Sequence, residues 1–535
     1  MPTLKIDGQE VTVPAGTTII EAAKKAGNFI PHYCYHPGLS IAGNCRMCLV
    51  EIEKNPKLQI ACNTQVADGM MVKTDNERVK SARQDILEFL LVNHPLDCPV
   101  CDQSGECELQ NYYMNYGLYE SSLMENKVKK PKAVPIGPAV MLDAERCVLC
   151  SRCVRFCNEV TKTDELGIVN RGDHAEIQVA PGKELKNDYS GNVVDICPVG
   201  ALTDRDFRFK CRVWFLETSP SVCPGCSRGC NIEIHWNSKR PYQTPSERVM
   251  RLKPRFNNEV NKWWICDEGR YGYNFIDQNR IQNPQVRSNG QMKDISWNEA
   301  LQQWSHLLSR PQETAVLVST DLTNEDLWVA KEFFGKKVGV KKLGYWHSKK
   351  LGEEDNLLKK ADKTPNTKGA EILGFEDISQ SAFDSVMKGE IRQLVLFGQD
   401  MVQLLGKETA DQLRLKLVQI VTIASNENGS SFLADLILPA AVYAEKDGTF
   451  TNFEGRVQRI RKALSPVGQA KAEWEIIRDL GREAGWDFQP DSPRSVFEAM
   501  AQKVTAFKGM SHESLGNSGL ILGQKIVNES QAYVG

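Results

Sequence analysis

Every one of the 17 cysteines in this 535-residue chain lies between Cys34 and Cys266. A disulfide framework is not segregated in this way, and an odd number suits it poorly. The thiols fall instead into four spaced groups. These are Cys34-x10-Cys45-x2-Cys48-x13-Cys62; His94-x3-Cys98-x2-Cys101-x5-Cys107; Cys147-x2-Cys150-x2-Cys153-x3-Cys157 with Cys197 farther on; and Cys223-x2-Cys226-x3-Cys230-x35-Cys266. Thiolates two residues apart on a turn can grip one metal centre. Sulfur donors in this number point to iron–sulfur clusters and electron transfer.

In the first group, Gly38, Gly43 and the neighbouring backbone can donate to the sulfurs, and a small sheet precedes the thiols as in plant-type ferredoxins. The spacing is not the C-x4-C-x2-C of those proteins. Four such thiols can equally hold one zinc, but zinc knuckles pair one C-x2-C with another, and no second pair is present. A [2Fe–2S] cluster is the expectation. In the second group, Cys98-Pro99-Val100-Cys101 alone can be a redox dithiol, and His94 a plain helix C-cap. Together they make a three-thiolate site with an imidazole as natural fourth ligand, which would remove negative charge and raise the potential. The third group is the bacterial-ferredoxin run, and Cys197-Pro198 is the ending of its partner run. That partner run needs thiols at 187, 190 and 193, where this chain has Asn187, Ser190 and Val193. One [4Fe–4S] on Cys147, Cys150, Cys153 and Cys197 is expected, with Cys157 left as an ordinary buried thiol. Zinc fits the spacing of the fourth group as well. Its place, downstream of three cluster motifs and at the entrance of a large α/β half, favours a further cluster. Cys157 and Cys211 remain unassigned.

The elements that position these groups follow from pattern. Apolar alternation in 4–6 and 10–13 around Asp7-Gly8 predicts a β-hairpin. A helix follows, with Thr18 and Glu21 at capping-box spacing and Gly27 just past its end. Leu49-Val50-Glu51-Ile52 predicts a strand, and a small mixed sheet with one helix closes near residue 75. Val79, Ala82, Ile86, Phe89 and Leu90 recur at helical spacing over 77–93, and His94-Pro95 stops that helix. Residues 121–140, with Lys127-Val128-Lys129-Lys130-Pro131-Lys132, read as a linker. Beyond about residue 215 the runs 315–318, 394–397 and 420–423 are continuously apolar, as fully buried parallel strands are. That half is expected to be α/β and at least partly doubly wound.

Bulk properties exclude other classes. Basic and acidic residues nearly balance, 66 against 68, which gives no basic tract for nucleic acid or an anionic membrane. No apolar run reaches the length of a bilayer span. Met1-Pro2-Thr3-Leu4-Lys5-Ile6 reads as a strand rather than a targeting peptide, so a soluble protein in a reducing compartment is expected. No dinucleotide fingerprint opens a helix after a strand, and there is no P-loop. NADH and flavin are therefore expected on other chains.

With these motifs in place, the sequence resembles the large iron–sulfur subunit of the peripheral arm of respiratory complex I, the NADH:quinone oxidoreductase. The resemblance is carried by His94-Pro95-Leu96-Asp97-Cys98-Pro99-Val100-Cys101, by Arg146-Cys147-Val148-Leu149-Cys150 and by Glu445-Lys446-Asp447-Gly448-Thr449-Phe450-Thr451-Asn452. It implies a plant-ferredoxin-like β-grasp domain over 1–75 and a His/Cys cluster domain over 76–120. A bacterial-ferredoxin-like domain over 121–215 and a truncated molybdopterin-oxidoreductase-like α/β domain over 216–535 follow. The implied cofactors are [2Fe–2S] on the first group and [4Fe–4S] on the second, with His94 as ligand. A [4Fe–4S] on the third and, as in some bacterial members, one on Cys223, Cys226, Cys230 and Cys266 complete the set. The implied partners are the flavin/NADH-binding subunit and the quinone-module subunits, with the membrane reached only through them at its cytoplasmic face. Two departures bear on the last domain. Glu268 stands where molybdenum enzymes of this superfamily carry a Lys, and no Cys follows Cys266. A retained scaffold without molybdopterin is therefore expected. A formate dehydrogenase or hydrogenase subunit, and a zinc-stapled scaffold, are the rival readings.

Overall fold

Asp7 and Gly8 both adopt positive φ, 47° and 87°, as a type I′ turn demands. They join β1 (Thr3–Ile6) to β2 (Gln9–Thr12) in the expected hairpin. This is a computed structural model, and it describes residues 1–118, 120–121, 123–347, 349 and 351–523. The chain divides into two units, one ending at Leu216 and the other beginning at Glu217.

In the first unit, α1 (Ile19–Lys25) follows the hairpin, and β3 (Leu49–Ile52), β4 (Gln59–Ile60) and β5 (Met71–Lys73) complete a sheet of order β2-β1-β5-β3-β4. β1 and β5 run parallel. Ile19, Ile20, Ala22 and Ala23 of α1 pack with Leu4, Ile6, Val50 and Val72, and the same core takes in Cys48 and Cys62. Each large aliphatic side chain buried there contributes about 1.5–3 kcal/mol, so the sheet side of the first thiol group is held firmly. The capping box expected at the start of α1 does not form. Thr18 occupies the N-cap, but its hydroxyl has no hydrogen-bond partner. Glu21 accepts instead from the Tyr35 hydroxyl, so a residue of the cysteine loop has captured the carboxylate.

Helix α2 (Glu77–Leu91) opens on Asn76, whose Oδ1 accepts from the Val79 amide at 3.0 Å. It ends at Leu91, two residues before Asn93. Lys127 Nζ then donates to the Leu91 and Val92 carbonyls at 2.9 and 2.7 Å, and the Val128 amide donates to Asn93 Oδ1 at 2.9 Å. The segment expected to be a free linker is thus a strap. Lys127 places its ammonium group at the negative end of α2, while Lys132 pairs with Asp97 and Glu145. Lys130 Nζ continues the strap to the Ala175 carbonyl, and strands Val134–Pro135, Val140–Leu142 and Leu202–Asp204 form a small sheet beyond it. α3 (Glu108–Tyr116) lies against α2, where buried Arg83 donates to the Tyr116 hydroxyl at 3.2 Å and stacks over its ring.

At the start of the second unit, strands Leu216–Val222, Asn231–Asn237 and Val249–Pro254 form one sheet, the last two antiparallel. Then come β6 (Gln285–Ser288), β7 (Gln291–Asp294), β8 (Thr314–Val318), β9 (Lys342–Tyr345), β10 (Gln393–Phe397), β11 (Gln419–Ala424) and β12 (Leu436–Pro439). They form one sheet of order β7-β6-β12-β11-β10-β8-β9, parallel from β12 through β9. Counted from β8, the parallel part has the doubly wound order 2-1-3-4-5. Successive side chains alternate between two cores. Val316, Val318, Val395 and Phe397 enter one, and Ala315, Leu317, Leu394 and Leu396 the other. Burial on both faces is why these strands read as unbroken apolar runs. Among the described residues, no helix is long and apolar enough to cross a membrane.

Candidate metal centres

The first group sits on the loop between α1 and β3, with Cys62 just past β4. Its thiols form a hydrogen-bonded chain Cys45–Cys34–Cys62–Cys48. Bonds from their neighbours hold Cys34 and Cys48 below the usual thiol range, while the same bonds push Cys45 and Cys62 up. Main-chain amides also point at sulfur. Cys34 N–H donates to Cys45 Sγ at 3.4 Å, and the amides of Asn44 and Cys45 serve Cys34. Gly38, expected among these donors, gives its N–H to His36 Nδ1 at 3.1 Å.

The second group surrounds a cavity of about 480 Å³ that His94, Cys98, Cys101, Cys107 and Gly200 line together. His94 and the three thiols thus face one cavity. Burial pushes the His94 imidazole down to about 4, and Arg146, Lys127 and Lys132 act the same way against Asp97. A neutral ring has a lone pair to offer a metal. Cys107 is the N-cap of α3. Burial raises its thiol to about 11, but the amides of Gln110 and Leu109 point at the sulfur and favour the thiolate. Asp97, beside Cys98, takes two bonds from Arg146, at 2.7 and 3.3 Å. That pair ties the second loop to the residue preceding Cys147.

The third group faces one cavity. Cys147, Cys150, Cys153 and Cys197 line one small cavity with Leu142, Val199 and Leu202. Leu149 and Ser151 take positive φ, 51° and 59°, a strain retained where the loop must curl its amides around sulfur. Leu149 N–H reaches Cys147 Sγ at 3.4 Å. Cys157 does not line this cavity; it is fully buried, and burial pushes its thiol up to about 12, helped by Glu165 and Asp164. Cys211 is also buried.

In the second unit, Cys223, Cys226, Cys230 and Cys266 line another small cavity with Gly225, Gly269 and Lys359. Cys266 is the N-cap of a short helix and accepts from Gly269 N–H at 3.3 Å. The Cys226–Cys230 loop is clamped from the C-terminal half. Phe453 N–H donates to the Ser227 carbonyl at 2.9 Å, and Gln458 Nε2 to the Gly229 carbonyl at 2.8 Å. Glu268 pairs with Lys363 at 2.8 Å. Lys446, in the stretch that carried the resemblance, is buried between Asp326 and Glu473. Thr449 and Thr451 amides donate to Glu325 and Asn366. That stretch is spent on internal bonds.

These donor sets fit iron–sulfur clusters. Each joins three or four thiols, one with a neutral imidazole, to inward amides, and glycine stands where a side chain would intrude. A Cβ on Gly269 would lie 2.9 Å from Cys223 Sγ, and one on Gly200 would lie 2.3 Å from Cys101 Sγ. Among the described residues, no three His, Cys, Asp or Glu side chains form a single-ion site. Sequence reasoning missed the cationic ties between loops. Arg152 donates to the Tyr35 carbonyl at 2.7 Å, and Arg155 to the Cys34 and Cys150 carbonyls at 2.5 and 3.3 Å. The arginines flanking Cys153 were the available signal. The three groups of the first unit also share their packing. A single buried core holds Tyr33, Cys34, Met47, Leu109, Tyr112 and Cys150, with Cys45, Cys107, Cys147 and Cys197 packed against it.

Known proteins and family models match along most of the chain. Family models match as a 2Fe-2S iron-sulfur cluster binding domain over 1–77 and the NADH-ubiquinone oxidoreductase-G iron-sulfur binding region over 83–122. The NADH-quinone oxidoreductase subunit 3 ferredoxin-like domain matches 137–203. The molybdopterin oxidoreductase Fe4S4 domain matches 216–278, and molybdopterin oxidoreductase 352–483. The NADH-ubiquinone oxidoreductase 75 kDa subunit of Reclinomonas americana is 31% identical, over 89% of this chain and 87% of the relative. The mitochondrial NADH-ubiquinone oxidoreductase 78 kDa subunit of Candida albicans is 31% identical, over 89% and 81%. Among solved structures, a chain of an NAD+-reducing [NiFe]-hydrogenase in the H2-reduced state is 30% identical, covering 40% of this chain and 91% of that one at a TM-score of 0.36. Identity near one third, sustained along nearly the whole length of the Reclinomonas protein, shows that the chain belongs to the family of the 75 kDa iron–sulfur subunit of NADH-quinone oxidoreductases.

Proposed function

We propose that this chain relays electrons within an NADH:quinone oxidoreductase through one [2Fe–2S] and three [4Fe–4S] clusters. The ligands are Cys34, Cys45, Cys48 and Cys62 for the first, and His94, Cys98, Cys101 and Cys107 for the second. Cys147, Cys150, Cys153 and Cys197 serve the third, and Cys223, Cys226, Cys230 and Cys266 the fourth. When bound, the clusters supply one-electron redox chemistry. The observation that carries this reading is the shared core of the first unit, which thiols of three groups border. Tunnelling falls steeply with distance, so centres that share one dry core can exchange electrons. The residues of the chain hold the sulfurs, exclude water and donate N–H groups to them.

The flavin- and NADH-binding subunit would deliver electrons, and quinone-module subunits would take them, with the membrane reached through these partners at its cytoplasmic face. Neither molybdopterin nor flavin is assigned to this chain. Glu268 is paired with Lys363, and the Lys446 stretch is engaged within the fold, which supports a scaffold role for the second unit. Iron and acid-labile sulfide assays on anaerobically purified complex test the reading. About 14 irons per chain are expected from this cluster set. Stoichiometric zinc at any group, which is silent in electron paramagnetic resonance (EPR), would overturn that assignment.

A further inference from the structure

Two loops that carry thiols of different groups are joined by one guanidinium. Arg155 stands in the helical turns Arg152–Arg155 and Phe156–Val160, which follow Cys150. Its Nη2 donates to the Cys34 carbonyl of the first group at 2.5 Å and to the Cys150 carbonyl of the third at 3.3 Å. The rest of the fork is held as well. Nε donates to Ser151 Oγ at 3.2 Å, and Nη1 to the Ser40 carbonyl. Glu159, one turn on, accepts from the Ser40 amide at 2.8 Å. Arg152, one turn back, donates to the Tyr35 and Ile196 carbonyls at 2.7 and 3.1 Å. One face of these turns therefore grips the loop that Cys34 opens. Arg152 reaches residues next to the ligands, whereas Arg155 reaches a ligand residue of each group.

We propose that Arg155 is the positioning residue for electron exchange between the cluster on Cys34, Cys45, Cys48 and Cys62 and the cluster on Cys147, Cys150, Cys153 and Cys197. Its guanidinium fixes the separation of the two ligand loops. It also completes a bonded route between them, from the Cys34 carbonyl through Nη2 to the Cys150 carbonyl. Electronic coupling decays less through covalent and hydrogen bonds than across open gaps, and it falls steeply with added separation. The planar fork holds its donors in fixed directions, so the bonds to Ser151, Ser40, Cys34 and Cys150 lock one another. A lysine brings the same charge on a flexible stem, and its three donors cannot serve four acceptors. The exchange moves one electron. The cluster that gives it is oxidised, the cluster that takes it is reduced, and no bond forms or breaks. The inference rests on the cluster assignment above.

The test compares the assembled complex of wild type with that of Arg155→Lys, which keeps the charge and loses the fork. Iron per chain and an anaerobic EPR titration read the occupancy and midpoint of each cluster, and Cys153→Ala identifies the signal of the third group. Freeze-quench EPR after a pulse of NADH then reads how fast an electron equilibrates between that signal and the [2Fe–2S] signal. In Arg155→Lys both clusters should fill at near wild-type midpoints, with equilibration slower by on the order of tenfold. In wild type the two signals should broaden each other when both clusters are reduced, a readout that needs no variant. A wild-type equilibration rate in Arg155→Lys, or a slowing that a midpoint shift accounts for, overturns the role of Arg155. Absence of mutual broadening in wild type overturns it as well, and leaves the clusters in place. A wild-type complex that lacks either signal overturns the cluster assignment itself.

Discussion

Gly200 lies three residues after Cys197, yet a Cβ there would fall 2.3 Å from Cys101 Sγ and 3.1 Å from Gln103 Cβ. Non-bonded contacts are best at about 3.5–4.0 Å, so in Gly200→Ala the Cys101 sulfur must retreat by more than about 1 Å. A metal–thiolate bond of about 2.3 Å cannot follow it. Gly200 is not among the positive-φ glycines, so the backbone adds no strain and the methyl group acts alone. Overpacking of this kind costs about 1–3 kcal/mol, a factor of roughly 5–150 against the loaded site. The assay is iron per chain together with the EPR spectrum of the reduced complex. Gly200→Ala should lose about 4 irons and the signal that His94→Cys alters. The ferredoxin-type signal, whose ligand Cys197 is the nearer in sequence, should persist. Gly167→Ala, with open space at its Cβ, should change nothing. Full occupancy of the His94 site in Gly200→Ala, or loss of the ferredoxin-type signal in its place, would refute the reasoning.

Other variants probe the remaining sites. His94→Cys should retain a cluster with a lower midpoint, because the added thiolate favours the oxidised state; an unchanged titration would make His94 a bystander. Cys157→Ala and Cys211→Ala should keep every cluster, whereas Cys153→Ala should abolish the ferredoxin-type signal. Loss of that signal in Cys157→Ala would show the run to be wrongly paired. Cys226→Ala should yield less assembled complex with a lower melting temperature, at near-normal NADH-to-quinone turnover per flavin. Cluster ligation closes the 35 residues between Cys230 and Cys266, and a cross-link of that kind is worth about 2–4 kcal/mol. A stable, fully assembled Cys226→Ala complex with collapsed turnover would make the fourth cluster a conductor.

Much of this protein is local chemistry, and local chemistry is legible. Cysteines two and three residues apart sit on single turns, so the Cys147 run needed only spacing to suggest a cluster, and Asn187, Ser190 and Val193 showed that the partner run was gone. Alternation around Asp7-Gly8 and the unbroken apolar runs near 315, 394 and 420 marked a hairpin and doubly buried strands, because side-chain period follows backbone geometry. Tertiary structure decided what depends on residues far apart in the chain. Lys127 caps α2 from a segment that composition marks as a linker, because an ammonium group goes wherever free carbonyls are folded beside it. Glu21 bonds Tyr35 rather than closing a capping box, since a loop partner outcompeted the local one. Gly200 guards Cys101, not the neighbouring Cys197. Such pairings cost loop entropy that only the finished core repays. Spacing could therefore name the ligands, and packing alone set what lies between them.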